Sequence, residues 1–259
     1  MAHAIAQASD GAEVHLLPGT HELSDVVTLP TDKSITFRGA GMERTSVQVA
    51  ASHADRYGCN AFYQGSTAAG SCDYVFEDLC VRRCQYGIRT KSGNPKLRRC
   101  RFEHCGWDGL DATGDADTEP ANAAAAAATW ASRHTSNGGA VRLESGTGVA
   151  LVGCRVFQCL RGSRVQAGAG VRVQRCVVER TRDSGIYMAI DSSTYVGCSD
   201  VLIAENEVKN AMNNGILMVG GKGMTVRDNH VHGCFNAGLQ SWSAFEIAAE
   251  SNTFSNCNR

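Results

Sequence analysis

Three residues in the middle of the chain could act together on an anionic substrate: Arg142, Arg164 and Tyr187. A short sequence motif, which we call the phrase, recurs along the chain and opens with a small residue. Each of the three residues lies two positions after that small residue. Guanidinium groups bind carboxylates through paired hydrogen bonds, and a tyrosine can serve as a general base. The three residues therefore suit removal of the proton alpha to a carboxylate, as on a uronic-acid polymer. A lyase would then expel a leaving group, whereas an epimerase would return a proton from the opposite face.

Two columns of outward-facing residues carry most of the other candidates. The first column contains Arg89, Arg142, Arg164, Tyr187, Leu217 and Gln240. The second column, two residues further along each phrase, contains Lys91, Glu144, Gln166, Ala189, Val219 and Trp242. Lys91 is an alternative base, and we expect the substrate to be bound by Arg89, Asp111, Glu144, Gln166, Asp191, Gln240 and Trp242. Arg142 joins the first column only if Ala140, and not Gly138, opens its strand.

A simpler interpretation of these columns stays open. Arginine and lysine on an exposed sheet keep it hydrated and discourage aggregation. Tyr187, however, lies directly before the insertion at 191–198 and Arg164 lies one coil earlier beside it, and binding residues concentrate where loops leave a rigid scaffold. This position favours a functional role for the two residues, and the two columns together form a candidate groove.

An acidic segment offers a candidate calcium site. Asp111, Asp115 and Asp117 supply carboxylate oxygens within a few residues, although their spacing does not match an EF-hand loop. His134 lies further along the same insertion and could act as a general acid or base. The proton abstraction itself requires no cofactor, so calcium is an optional ligand here.

A repeat must position these residues. Glycines that open successive phrases fall at Gly87, Gly109, Gly138, Gly162, Gly185, Gly215 and Gly238, with gaps of 22, 29, 24, 23, 30 and 23 residues. A period near 22 to 24 residues is typical of one coil of a solenoid, with longer gaps where loops are inserted. The pattern predicts an all-β fold, a single-stranded right-handed parallel β-helix of seven or eight coils in which each glycine bends the chain into a strand. Successive coils lie only about 4.7 to 4.9 Å apart, so outward residues become surface columns.

Twelve cysteines fit this repeat better than they fit a disulfide framework. Cys100, Cys154 and Cys176 occupy the repeat position that Asn206, Asn229 and Asn252 occupy later in the chain. A second column, five residues on, contains Cys105, Cys159, Thr181, Ala211, Cys234 and Cys257. Cysteine that alternates with Asn, Thr and Ala indicates small buried thiols. Cys59 and Cys72 lie outside both columns and could form a bridge or line a loop.

We interpret residues 1–259 as a single β-helix domain. Residues 1–12 are predicted to form a short N-terminal capping helix with its glycine stop, followed by strands near Val14, Val26, Ile35 and Val47. The segment from Ala51 to Asp73 is predicted to be an excursion. Residues 114–137 and 191–198 are predicted to be inserted loops, and whether Leu110 to Thr113 forms a strand stays open.

Composition excludes several classes of partner. Lys+Arg 25 against Asp+Glu 26 gives a formal net charge of -1, which argues against a nucleic-acid partner. No apolar run approaches the roughly 18 to 20 residues that span a bilayer, so no membrane partner is expected. The chain has no signal-peptide pattern. The sequence predicts a soluble protein, whose location is unknown and which would be secreted if a leader had been removed.

The start of the chain resembles right-handed parallel β-helix proteins of the pectate lyase-like superfamily. The resemblance is carried by the N-terminal helix, by the turn Pro18-Gly19-Thr20 and by the segment Arg38-Gly39-Ala40-Gly41. Tyr86-Gly87-Ile88 is similar to the first half of a mannuronan C5-epimerase phrase and is followed here by Arg89-Thr90-Lys91. The motifs of polygalacturonase-like members are absent from the sequence.

The resemblance implies a carbohydrate-active protein whose partner is an acidic polysaccharide or oligosaccharide. A polysaccharide lyase or C5-epimerase is the first expectation. The alternative is a glycan-binding or tailspike-like adhesin module without catalysis. The last regular coil shows no C-terminal cap pattern, so we expect either that a partner covers this end, as in a homo-oligomer, or that the natural protein continues.

Overall fold

The strands of the chain stack into three parallel sheets, and the predicted parallel β-helix is confirmed. This computed structural model describes residues 1–50, 59–66, 72–106 and 139–258. The insertion predicted at 114–137 and the segment Leu110 to Thr113 lie outside these residues. None of the helices in the described ranges has the length and apolar character needed to cross a membrane.

The strands are numbered in chain order. Sheet A contains β1 (Ala12–His15), β4 (Ile35–Arg38), β7 (Asp73–Glu77), β10 (Asn94–Arg98), β14 (Ala150–Val152), β18 (Arg172–Gln174), β21 (Ser199–Ala204), β24 (Lys222–Arg227), β27 (Phe245–Glu250) and the short β13 (Gly146–Thr147) and β17 (Gly168–Ala169). Sheet B contains β2 (Gly19–Leu23), β5 (Thr45–Val49), β8 (Cys80–Arg82), β11 (Arg101–Glu103), β15 (Arg155–Phe157), β19 (Val177–Glu179), β22 (Glu207–Lys209), β25 (His230–His232) and β28 (Thr253–Ser255). Sheet C contains β3 (Val27–Thr28), β6 (Phe62–Gln64), β9 (Tyr86–Thr90), β12 (Gly139–Leu143), β16 (Ser163–Gln166), β20 (Ile186–Ala189), β23 (Ile216–Val219) and β26 (Leu239–Trp242).

Each coil contributes one main strand to each sheet. Sheet C has 8 strands and sheet B has 9, so the described part of the chain completes eight coils and begins a ninth. Strands pair with the strand one coil away, always in parallel, as β16 pairs with both β12 and β20. Because parallel pairing is in register, equivalent residues of successive coils stand directly above one another.

The core fills the space between the three sheets with columns of apolar side chains, one from each coil. Phe37, Phe62 and Phe76 fill the first coils, with Phe37 and Phe76 stacked at 5.1 Å between ring centroids. Later coils use aliphatic residues such as Val208, Ile216 and Val226, all fully buried. Helix α1 (Ala2–Gln7) adds Ile5 to this core, so the predicted N-terminal helix is confirmed.

The asparagine and cysteine columns bond one coil to the next. The side-chain amide of Asn206 donates to the carbonyl of Val173, and that of Asn229 donates to Ile203, both at 2.9 Å. The thiols of Cys154 and Cys176 lie 3.6 and 3.5 Å from the equivalent carbonyl oxygens of Leu97 and Leu151. Cysteine and asparagine therefore occupy one structural position.

The cysteines carry thiols and form no disulfides. Of the two alternatives for Cys59 and Cys72, the structure has the unbridged one, and the Cys72 thiol lies 3.3 Å from the carbonyl oxygen of Thr31. Burial raises the pKa of the Cys105 and Cys159 thiols well above the ordinary range. These thiols are therefore neutral packing groups.

The phrase glycines are required by close packing and not by a left-handed turn. A Cβ atom added to Gly162 would lie 2.0 Å from the carbonyl oxygen of Gly185, and one added to Gly185 would lie 2.9 Å from that of Gly215. None of the three has a φ in the left-handed range. These glycines stand at bends that lead directly into their strands, as predicted, and the neighbouring coil also excludes a side chain there.

The predicted excursion from Ala51 to Asp73 contains a strand. β6 pairs Phe62 with Ile88, which gives Ala61 the place that Gly87 has in the next coil. The prediction is wrong for this strand because alanine occupies the position at which glycine marks the start of the phrase in other coils. The turn expected at Pro18 to His21 is likewise shorter, since β2 begins at Gly19.

Replacing Asn229 by alanine should destabilise the fold. Asn229 is 2% exposed, and its side-chain oxygen accepts hydrogen bonds from the backbone N–H and the side chain of Asn206. The Asn229→Ala change removes the oxygen that accepts from the Asn206 N–H and the amide that donates to the Ile203 carbonyl, and a buried group left without a partner costs about 1–3 kcal/mol. We expect the free energy of unfolding in urea to fall by about 2–4 kcal/mol. The exposed Asn236→Ala change is the control, and an equal effect of the two would contradict the ladder's role.

Candidate functional site

Sheet C presents a column of cationic and aromatic side chains on its outer surface. In-register pairing aligns Tyr63 with Arg89, Arg89 with Arg142, Arg142 with Arg164, and Arg164 with Tyr187. The same register continues through Leu217 to Gln240. Ala140 stands where Gly87 and Gly162 stand in the neighbouring coils, which is the condition under which Arg142 belongs to this column. We call the five residues from Tyr63 to Tyr187 the arginine–tyrosine face.

One carboxylate serves two of the arginines. An oxygen of Glu144 accepts hydrogen bonds from Arg89 at 3.0 and 2.8 Å and lies 3.1 Å from Nε of Arg142. The three side chains are 24%, 19% and 14% exposed for Arg89, Glu144 and Arg142. Partial burial strengthens this pairing relative to a surface salt bridge. Glu144, predicted as a substrate-binding residue, therefore holds the two arginines in place.

Two tyrosines support the same arginines. The Arg89 guanidinium lies 5.6 Å from the ring centroid of Tyr63 and 5.8 Å from that of Tyr86. Arg142 also contacts Tyr86, to whose hydroxyl it donates a hydrogen bond of 3.3 Å. Cation–π contacts of this length favour a fixed guanidinium orientation. Sequence reasoning missed both tyrosines, although Tyr86 stands in the phrase Tyr86-Gly87-Ile88.

Arg164 differs from its neighbours because no carboxylate of the described residues pairs with it. Its guanidinium donates a hydrogen bond of 3.4 Å to the side-chain oxygen of Gln166 and lies 5.3 Å from the ring centroid of Tyr187. Its Nε atom is buried without a hydrogen-bond partner in this part of the chain. Burial, together with the charges of Arg142 and Arg161, lowers the pKa of Arg164. Arg164 is therefore a cation without an anionic partner among the described residues.

Arg161 and Asp183 form an ion pair beside this face. Nε of Arg161 lies 2.5 Å from a carboxylate oxygen of Asp183, whose other oxygen accepts a hydrogen bond from Asn213. Burial opposes ionisation of Asp183, but the Asn213 hydrogen bond and the Arg161 charge keep its pKa below the usual value. Asp183 is therefore committed to Arg161 and does not neutralise Arg164.

The second column borders the face on one side. Gln166 pairs with Ala189 and is buried, whereas Trp242 pairs with Val219 and is 55% exposed. Lys91 is half-buried at the start of this column. Gln240 ends the first column with a buried side-chain oxygen that has no hydrogen-bond partner in the described ranges.

Of the remaining candidate residues, only Asp191 lies in the part of the chain that the structure describes. Asp191 begins the insertion at 191–198, where one carboxylate oxygen accepts hydrogen bonds from the backbone N–H groups of Ser193 and Thr194 and from the Ser193 hydroxyl. These bonds lower the pKa of Asp191, led by the Ser193 hydroxyl, and they fix the turn. The others lie outside the described residues, namely Asp111, Asp115, Asp117 and His134.

The geometry supports recognition of an anion along the sheet. A ligand carboxylate at Arg164 would meet a half-buried guanidinium, which a charge-assisted, two-point hydrogen bond satisfies. The hydroxyl of Tyr187 would stand one coil away, at about 4.7 to 4.9 Å along the sheet. The arrangement thus places a guanidinium and a phenol hydroxyl on neighbouring coils.

Comparison with known proteins identifies the fold family. The family model described as right handed beta helix region matches residues 126–258, just over half of the chain. No curated protein matches the chain by sequence.

Solved structures with the same fold include carbohydrate-active proteins. The Agl-KA catalytic domain matches with a TM-score of 0.63 and 14% identity over 98% of this chain and 43% of that one. An alginate lyase from Paenibacillus sp. strain FPU-7 matches with a TM-score of 0.51 and 11% identity, over 99% of this chain and 95% of that one. The A-module of mannuronan C-5 epimerase AlgE6 from Azotobacter vinelandii gives 0.50 and 11%, over 99% and 70%.

These likenesses at low identity show a shared fold and leave the activity open. The chain spans less than half of the Agl-KA catalytic domain. The three stacked parallel sheets, the phrase repeat and the family match lead to one conclusion: the chain belongs to the family of right-handed β-helix proteins.

Proposed function

We propose that the arginine–tyrosine face binds an acidic, uronate-containing polysaccharide and removes the proton alpha to a substrate carboxylate. The observation that carries the proposal is the half-buried guanidinium of Arg164, which has a buried Nε atom and no carboxylate partner among the described residues. A buried charge without a partner destabilises a fold, and a bound anion reverses that cost. A substrate carboxylate is the anion that a bidentate guanidinium recognises best.

A polymeric substrate fits the shape of the face. The column runs along the stacking direction, and its cations repeat at the coil spacing of about 4.7 to 4.9 Å, close to the length of one sugar unit. Trp242 lies at the C-terminal end of the second column, where its exposed ring could stack on a sugar. Proteins named as an alginate lyase and a mannuronan C-5 epimerase share the fold, which supports this substrate class by analogy.

The proposed chemistry begins at C5 of a uronate unit. Arg164 neutralises the carboxylate and thereby stabilises the negative charge that develops when C5 loses its proton. Tyr187, in its ionised form, accepts that proton, with Lys91 and His134 as alternative bases. In a lyase the electron pair then forms the C4–C5 double bond while the C4–O4 bond breaks, and the departing oxygen takes a proton. In an epimerase a proton returns to C5 from the other face.

The mechanism requires no cofactor. A calcium ion held by Asp111, Asp115 and Asp117 remains a prediction, since these residues lie outside the described ranges. Such an ion would add a positive charge near the polyanion.

A second candidate function is glycan binding without catalysis. Glu144 already neutralises Arg89 and Arg142, which leaves them as parts of a rigid surface rather than as free cations for a transition state. The exposed Trp242 at the edge of the face is suited to sugar stacking without chemistry. A tailspike-like adhesin or binding module would use the face in this way.

Two substitutions separate these functions. Arg164→Ala should weaken binding of oligomers of alginate, pectate or a glycosaminoglycan by about 10- to 100-fold, because a charge-assisted hydrogen bond is lost. Tyr187→Phe should leave binding unchanged and reduce turnover by about 100-fold or more if Tyr187 is the base. Binding is measured by calorimetry, and turnover by ultraviolet absorbance of unsaturated uronates and by NMR of C5 inversion.

The exposed Arg175→Ala change on another face is the matched control and should alter neither quantity. Saturable binding without turnover would support the binding module and refute the enzyme. The absence of binding to all three polymers would refute both.

The end face formed by β26, β27 and β28 supports a second proposal, that two copies associate through it. Leu239 and Phe254 are partly or largely exposed, whereas their partners one coil earlier, Ile216 and Val231, are fully buried. The outer backbone edges of these strands pair with no further strand among the described residues. A second copy would cover both the apolar residues and the edges.

A charge on this end face should prevent the association. Phe254→Asp should convert the oligomer to a monomer, because burial of a carboxylate against apolar residues is unfavourable. Sedimentation velocity measures the outcome. Val196→Asp, at an exposed apolar residue of the 191–198 insertion, is the control and should leave the oligomer intact. A wild-type chain that sediments as a monomer at all concentrations would refute the proposal.

A further inference from the structure

A cluster of two histidines and one glutamate lies on the outer surface of sheet B, away from the arginine–tyrosine face of sheet C. We propose that Glu207, His230 and His232 bind a divalent transition-metal ion, with Zn²⁺ as the representative ion. One potential ligand atom from each residue lies within 4.8 Å of the other two. The proposal is independent of the proposed function, because the two sites lie on different sheets.

The fold places the three side chains together by strand alternation. Val208 and Val231 point into the core, so the residues on either side of them, including Glu207, His230 and His232, point outward. β22 and β25 pair in parallel with Glu207 opposite His230. The two histidines are therefore neighbours on one side of a strand, and the glutamate approaches them from the preceding coil.

The side chains already lean toward one another. The rings of His230 and His232 lie 4.7 Å apart between centroids, closer than the roughly 6.6 Å that separates alternate residues along a strand. Nε2 of His232 lies 3.6 Å from a carboxylate oxygen of Glu207. Ligands of a tetrahedral Zn²⁺ at about 2.1 Å stand about 3.4 Å apart, so small side-chain rotations complete the site.

The ligand set determines the class of ion. Two imidazoles and one carboxylate suit Zn²⁺, Co²⁺, Ni²⁺ or Cu²⁺, whereas Ca²⁺ prefers oxygen ligands throughout. Three protein ligands leave at least one coordination position for water. The ion would join coils seven and eight by side-chain bonds in addition to the backbone ladder.

Lys209 is the group that competes with the ion. Its ammonium lies 3.6 Å from Glu207 and 3.4 Å from Glu179, so it bridges the two carboxylates. When Glu207 binds the metal ion, it gives up its ion pair with Lys209. Lys209 keeps its ion pair with Glu179. Removal of the lysine charge should therefore strengthen metal binding, because both the competition and the charge repulsion disappear.

The test is titration of the untagged, metal-free chain with ZnCl₂ by calorimetry. We expect one Zn²⁺ per chain and a higher Tm in the presence of Zn²⁺ than in EDTA, since a ligand that binds the folded state stabilises it. Glu207→Gln, His230→Ala and His232→Ala should each weaken binding by at least about tenfold, because loss of even an outer-shell partner costs about 10- to 100-fold. Lys209→Met should tighten it.

His21→Ala, at a histidine on the first strand of the same sheet, is the matched control and should leave the affinity unchanged. Circular dichroism in EDTA verifies that the variants fold, and Glu207→Gln preserves the size of the side chain. The proposal is overturned if no Zn²⁺ binds or if the three variants retain wild-type affinity. A sulfur-to-metal charge-transfer band with Co²⁺ would also overturn it, because that band identifies cysteine ligands.

Discussion

Hydrogen bonds between successive coils determine every other feature of this structure. Each strand pairs with the equivalent strand one coil away, in parallel and in register, so the chain repeats its own side chains at about 4.7 to 4.9 Å. This spacing excludes a Cβ atom at Gly162, where it would lie 2.0 Å from the next coil's carbonyl oxygen. It also allows Asn206 and Asn229 to satisfy buried backbone groups of their neighbours. The same constraint thus selects the smallest residue at one corner and an amide at another.

Stacking of equivalent residues creates an electrostatic problem on the outer surfaces. A column of arginines repels itself unless carboxylates intervene. Sheet A contains such a solution, since the buried Glu77 pairs with Arg38 at 2.7 Å and with Arg98 at 2.9 Å. In sheet C, the carboxylate of Glu144 likewise pairs with Arg89 and Arg142. No carboxylate in the described ranges pairs with Arg164. The exception is therefore local, and it distinguishes Arg164 from the structural ion pairs around it.

The sequence predicted those parts of the molecule that follow from the repeat. The glycine spacing indicated the β-helix, and counting two residues from each opening residue aligned Arg142, Arg164 and Tyr187 correctly. Strand β6 was missed because Ala61 stands where glycine stands elsewhere, and Tyr63 was missed with it. The shared pairing of Glu144 depends on side-chain reach between two columns, which residue spacing does not encode. The approach of Glu207 to His230 and His232 likewise depends on side-chain reach between two coils, which residue spacing does not encode.

Comparison with the distant relatives separates the residues that specify the fold from the residues that could carry the function. Proteins only 11–14% identical to this chain share its fold, so few positions are needed to specify it. Those positions face the core or the neighbouring coil, where burial and the coil spacing restrict the choice of residue. Outward positions on sheet C carry no such restriction, since a stable coil requires only a hydrated side chain there. A half-buried guanidinium that lacks a carboxylate is unfavourable at such a position. Its presence at Arg164, beside Tyr187, therefore argues for a bound anion more directly than membership of the fold family does.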